Sequence, residues 1–94
     1  MSKAPSLARL LRYVAANTKR LRLKHAWTQE ALAEEAGLEA RYVQEIERAK
    51  TNMTLAVLLD LATALGVHPR NLLNEAELKP AKPGRPRKAR TAQR

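Results

Sequence analysis

An all-α fold of five helices, the first of them extended and the last followed by a disordered basic tail, is what this sequence predicts. Leucines and alanines recur at three- and four-residue spacing in successive stretches, the period of a helix with one buried face. Ser6, Thr28 and Thr54 stand where N-caps belong, and Gly37 and Gly66 stand where helices stop. With no Phe and three aromatics (Tyr13, Trp27, Tyr42), the core must be assembled from Leu, Val, Ile and Ala.

Helix 1 is expected over residues 6–24, with Ser6 as N-cap after Pro5 and Leu7, Leu10, Leu11, Val14, Thr18 and Leu21 on one stripe. Helix 2 is expected over residues 28–36, with Thr28 as N-cap and Leu32, Ala33 and Ala36 facing inward. Gly37 then turns a sharp corner in the left-handed conformation. Helix 3, over residues 39–48, buries Val43 and Ile46, with Leu38 beneath the turn. Helix 4 runs from Thr54 to Gly66 on a core stripe of Leu55, Leu58, Leu61, Ala62 and Leu65. Helix 5 is short: Pro69 suits its first turn, and Leu72 and Leu73 dock it. Residues 1–78 thus form one domain, and residues 79–94, with three prolines and no apolar period, form a disordered tail.

Composition narrows the function. Ninety-four residues make one small domain, and the absence of cysteine removes disulfides and cysteine-based zinc sites, which suits a reducing cytoplasm. No apolar run reaches membrane-spanning length; residues 55–67 come nearest and are broken by Asp60. The net charge of +9 is unevenly placed, because residues 79–94 hold seven Lys/Arg and no acid. The other 78 residues balance eleven basic groups against nine acidic ones. A near-neutral globule with a basic arm fits a nucleic-acid binder. Residues 1–24, with seven Lys/Arg and no acid, have the charge of a mitochondrial transit peptide. They run into the folded unit without a boundary, however, so they are read as structural.

The stretch over residues 28–50, TQEALAEEAGLEARYVQEIERAK, carries the chemistry. It is two short helices joined at Gly37, and with Val43 and Ile46 inward the second helix turns Ala40, Arg41, Gln44, Glu45 and Arg48 outward. Arg bonds guanine with two donors, Gln reads adenine, Glu accepts from cytosine, and small Ala40 permits approach to a thymine methyl. An isolated helix with a polar face means nothing by itself. The preceding helix and its glycine corner are what turn this face into a candidate for the major groove.

Residues 14–73 resemble the lambda-repressor-like helix-turn-helix domains, the Cro/XRE family of bacterial and phage regulators. The matching residues are Arg22, Trp27-Thr28-Gln29-Glu30, Leu32-Ala33, Gly37, Val43, Ile46-Glu47, Lys50, the leucines from Leu55 to Leu65, and Gly66-Val67. The resemblance implies that helix 3 lies in the major groove. It implies that Gln29 reaches a phosphate and braces helix 3, and that Ala40, Arg41, Gln44 and Glu45 face bases. Thr28, Glu39 and Arg48 flank that surface, while Lys50, Thr51 and Asn52 contact the backbone. Arg22 and Glu47 match a partly buried pair tying helix 1 to helix 3. Ala26 and Ala49 depart from the pattern, standing where the family often has Gly, and Met53 where it often has Pro. Because alanine tolerates the left-handed conformation poorly, both turns are expected to be wound differently.

Two features lie at the edge of the resemblance. Leu7, Leu10 and Leu11 either extend the core or form a dimer contact, with helix 5 (Leu72, Leu73) as the family-like alternative. The run from Pro83 to Lys88 resembles an AT-hook, placing Arg85, Arg87 and Lys88 along an A·T-rich minor groove or, more generally, against phosphates. His25 and His68 have no ligand-like neighbours, and no nucleophile–base arrangement or phosphate-cradling loop is present, so neither metal, cofactor nor enzymatic activity is expected. The sequence therefore reads as a cytoplasmic, nucleoid-associated regulator of double-stranded DNA, a homodimeric repressor or controller of its own promoter. The alternative is an antitoxin-like protein whose main partner is another protein, such as a toxin; RNA polymerase is a further candidate partner. An architectural, non-specific DNA binder is the third reading.

Overall fold

The computed structural model describes residues 4–78; the expected tail, with Arg85, Arg87 and Lys88, lies outside them. Five helices follow in order: α1 Leu7–Lys24, α2 Gln29–Ala36, α3 Ala40–Glu47, α4 Leu55–Leu65 and α5 Arg70–Leu73. Three begin on hydroxyl caps, where Oγ of Ser6, Thr28 and Thr54 accepts from the backbone N–H of Arg9, Ala31 and Val57 at 3.1, 3.0 and 3.2 Å. α1 packs on α3 and α5, and α2 packs on α3 and α4, so the α2–α3 unit sits on a platform of the other helices. Leu32, Val43, Ile46, Leu61 and Leu72 are completely buried at the centre.

Four helices end by one device. Residue n, in the left-handed conformation, bonds back three residues, and residue n+1 bonds back five, which satisfies two of the free carbonyls of the last turn. The second bond is Trp27 N–H to Arg22 O at 3.1 Å, Leu38 to Ala33 at 2.8 Å, Lys50 to Glu45 at 2.9 Å and Val67 to Ala62 at 3.0 Å. At Gly37 (φ 73°) and Gly66 (φ 75°) the conformation costs nothing. Ala26 and Ala49 adopt it too, each at φ 59°. This corrects the expectation that alanine would wind these turns differently: the two hydrogen bonds outweigh a penalty of about 1–2 kcal/mol.

Other expectations change with the packing. Leu55 is 81% exposed, because it occupies the first turn of α4, ahead of the point where the helix reaches the core at Leu58. Met53, in the preceding loop, packs on the core instead. Leu7 is exposed, Leu10 and Leu11 are half-buried, and the stripe becomes core only from Val14. Leu72 is a core residue with 0% exposure, which removes it from any dimer surface, while Leu73 is exposed.

Candidate nucleic-acid interface

The α2–α3 unit is held in place from beneath by a buried network centred on Glu47, the last residue of α3. Arg22 of α1 donates from Nε to Glu47 Oε2 at 2.7 Å and from Nη2 to Oε1 at 3.0 Å. Its third nitrogen, Nη1, donates to the carbonyl of Trp27 at 2.8 Å, in the turn between α1 and α2. Gln29, at the start of α2, donates from Nε2 to Glu47 Oε1 at 3.0 Å. One carboxylate thus ties together three elements: α1, the N-terminus of α2 and the C-terminus of α3. The hydrogen bond to Glu47 raises the pKa of Arg22, an effect stronger than the opposing desolvation. Gln29 keeps one N–H and its carbonyl oxygen free of this network, at a helix start whose backbone N–H groups favour anions.

Above this network α3 presents its outer face. Val43 and Ile46 are buried at 0% and 1% exposure, which fixes the rotation of the helix. Arg41 and Arg48 are exposed, and Gln44 and Glu45 are half-buried. Among the described residues the ion pair is Arg22–Glu47, so the guanidinium of Arg41 is not held by Glu45 one turn on. Ala40 is half-buried against the core, nearer the protein interior than its place on the sequence wheel suggests, and Tyr42 packs there too. Glu39 is the N-cap of α3 without a side-chain cap bond and is exposed. In the α3–α4 loop Lys50 and Asn52 are exposed, and Thr51 is half-buried. Thr28 spends its hydroxyl as the α2 cap.

Two supporting contacts escape a reading by residue type. Asn17 of α1 donates from Nδ2 to the carbonyls of Leu72 and Asn74 at 3.1 and 2.9 Å, pinning the end of α5. His25 stacks on Trp27 with centroids 4.3 Å apart, and its Nε2 donates to the Leu65 carbonyl at 3.0 Å. The hydrogen-bond partners lie 40 or more residues away, and no local signal announces them. Among the described residues no group of His, Asp or Glu is placed to hold a metal ion, and no helix is long and apolar enough to cross a membrane.

Comparisons with known proteins agree with this geometry. The helix-turn-helix profile HTH_3 matches residues 19–72. A hypothetical transcription factor of Neisseria meningitidis serogroup B is 38% identical over 60 residues, 64% of this chain and 57% of that protein. The chain therefore spans little more than half the length of that relative. The crystal structure of hypothetical transcription factor NHTF from Neisseria superposes with a TM-score of 0.70 at 33% identity, covering 80% of this chain and 86% of that one. The restriction-modification controller protein C.AhdI from Aeromonas hydrophila superposes with a TM-score of 0.64 at 39% identity, covering 66% of this chain and 94% of that one. The chain belongs to the Cro/XRE-type helix-turn-helix family (HTH_3), a non-enzymatic family of DNA-binding transcription regulators.

Proposed function

We propose that this protein is a sequence-specific transcriptional regulator that binds a partly palindromic operator as a dimer and controls its own promoter, as a repressor or controller. The observation that carries the reading is the outward face of α3. Arg41, Gln44 and Glu45 project beside Ala40 from a helix whose rotation Val43 and Ile46 fix and whose C-terminal end the Arg22–Glu47–Gln29 network holds. These side chains read base edges in the major groove, with Glu39 and Arg48 flanking. Thr28, Gln29, Lys50, Thr51 and Asn52 position the domain on phosphates. Arg85, Arg87 and Lys88 add charge along the minor groove or the backbone. Likeness to a restriction-modification controller supports a role at the protein's own gene.

Exposed leucines support self-association. Leu55 (81%) and Leu59 (53%) lie one turn apart on α4, and a small monomer gains nothing by leaving them in water. Two copies joined there would read half-sites about 34–36 Å apart. The reading is tested by titrating the full-length protein at physiological salt with DNA from upstream of its own gene and with a shuffled duplex of equal composition. A preference of about 10³-fold or more is expected. Near-equal weak binding at a range of upstream fragments would sink it, and a monomer by sedimentation both free and on DNA would remove the dimer.

A further inference from the structure

An open groove of about 660 Å³ runs between α1, the end of α3 and the C-terminal segment at residues 77–78. We propose that it docks an acidic amphipathic helix of a partner protein. Its rim is cationic, formed by Arg12, Lys19 and Arg20 of α1 and Arg48 after α3. Among the described residues none of the four has a carboxylate within ion-pair distance. The carboxylate of Glu47 on the inner wall is already taken by Arg22 and Gln29, which leaves Glu77 as the one acid facing four cations. The floor is apolar. Ala16 and Ala49 are small enough for close approach, and Leu23, 56% exposed, lines the same groove as Leu78.

Charge and floor together select the occupant. An apolar side chain flanked by carboxylates satisfies both, and an amphipathic helix presents that pattern on one face. The protein's own tail, with seven Lys/Arg and no acid in residues 79–94, is repelled by the rim. A second copy offers acidic α2 with Glu30, Glu34 and Glu35, but Leu32 of that helix is completely buried and cannot seat in the floor; exposed Leu55 and Leu59 of α4 bring a single acid, Asp60, to four cations. A DNA backbone supplies charge and nothing for the leucines. Arg12, Ala16, Glu77 and Leu78 also lie outside the matched residues 19–72, so the groove belongs to the extended first helix and the C-terminal segment of this chain.

The test uses the full-length protein and a fluorescein-labelled synthetic peptide of Glu, Ala and Leu, about 18 residues long, enough to form a helix on docking. Fluorescence anisotropy gives affinity, and amide chemical shifts give location. The charge-neutral variants Leu23→Ser and Ala16→Gln, checked for unchanged helicity, are expected to weaken peptide binding by about tenfold. Shifts are expected at residues 12–23, 48–49 and 77–78. A peptide with Ser for Leu should bind as weakly as the wild-type peptide binds the variants. The proposal is overturned if no binding occurs, or if the Ser peptide binds equally well. It is also overturned if deleting residues 79–94 abolishes binding that both variants leave unchanged, or if the shifts fall on Arg41–Glu45. Operator affinity of Leu23→Ser is measured alongside. Its retention with loss of peptide separates this surface from the DNA-binding reading.

Discussion

Arg22 and Glu47, 25 residues apart, meet in a two-point ion pair at 2.7 and 3.0 Å whose side chains are 9% and 4% exposed. Because both oxygens of the carboxylate are occupied and little of either side chain reaches water, removing one partner strands a largely buried charge. Glu47→Ala is expected to destabilise the protein by about 3–5 kcal/mol. Glu45→Ala, two residues away and half-buried without a partner, is expected to cost under about 0.5 kcal/mol. Urea unfolding followed by circular dichroism distinguishes them; comparable midpoints would contradict the role given to the pair. The raised pKa of Arg22 fixes the sign of any pH effect. Its contribution is complete below the unfolded value and is lost only as pH rises through the folded one, so no loss from this group is expected at neutral or mildly alkaline pH.

Ala26 and Ala49 hold φ values of 59° that glycine adopts freely. Replacing either with Gly removes a left-handed penalty of about 1–2 kcal/mol and adds about 0.4–1 kcal/mol of unfolded-state entropy. Each substitution should therefore stabilise by roughly 0.5–1 kcal/mol, raising Tm by about 2–8 °C. The reverse changes supply the control. A Cβ at Gly37 or Gly66 meets no atom within 4 Å, so Gly→Ala there adds the left-handed penalty without a clash; the penalty exceeds the entropy gained in the unfolded chain and should lower Tm. If Ala26→Gly and Ala49→Gly both lowered Tm, the turn geometry described above would be wrong.

Thr18 is completely buried in α1, and its Oγ1 has no hydrogen-bond partner. Valine has nearly the same shape and no hydroxyl to desolvate. Thr18→Val is expected to stabilise by about 1 kcal/mol, since an unpaired buried hydroxyl costs about 1–3 kcal/mol. A thermal melt that falls on substitution would show that the hydroxyl is satisfied.

These positions show which parts of the architecture the chain states locally. Ser6, Thr28 and Thr54 mark helix starts, because a cap hydroxyl acts within three residues of itself. Gly37 and Gly66 mark stops for the same reason. Ala26 and Ala49 make the identical turn without a glycine, so residue type points the wrong way and the bonds that decide the matter become visible only in three dimensions. Leu55 shares the helical direction of Ala62, yet is exposed because position along the axis, not rotation, removes it from the core. On α3, Val43 and Ile46 are enough to orient the helix, but not to show that Ala40 and Tyr42 lean on the core. The Arg22–Glu47 pair was legible through family resemblance; Asn17 reaching Leu72 and Asn74 was not, since nothing near it in sequence signals a partner beyond α4.

Arg41 and Lys50 should fail in different ways. Arg41 is exposed on α3 and free of an ion pair, which suits a two-donor contact to guanine. Arg41→Ala should cost about 1–3 kcal/mol on the operator and relax preference at one base pair. Lys50 is exposed in the loop after α3, and the proposed docking of that helix would bring it to a phosphate. Lys50→Ala should weaken all duplexes alike. Binding titrations over a set of single-base operator variants separate these outcomes. Uniform weakening by Arg41→Ala would move it from base reading to backbone contact.

The tail should act through salt. Seven Lys/Arg in residues 79–94 outweigh the excess of two positive charges in the other 78, so most of the protein's long-range attraction for DNA resides there. Each phosphate contact releases counterions and contributes about 0.9 to the slope of log affinity against log salt. Deleting residues 79–94 is expected to flatten that slope by several such increments and to weaken operator and shuffled duplexes together, leaving their ratio nearly intact. If Arg85, Arg87 and Lys88 instead follow an A·T-rich minor groove, the deletion reduces affinity more for operators flanked by A·T tracts than for those flanked by G·C. The salt titration on both kinds of flank distinguishes a generic arm from a groove-reading one. An unchanged slope would show that the charge in the tail does not touch DNA, and that the folded domain binds with its own small excess of positive charge.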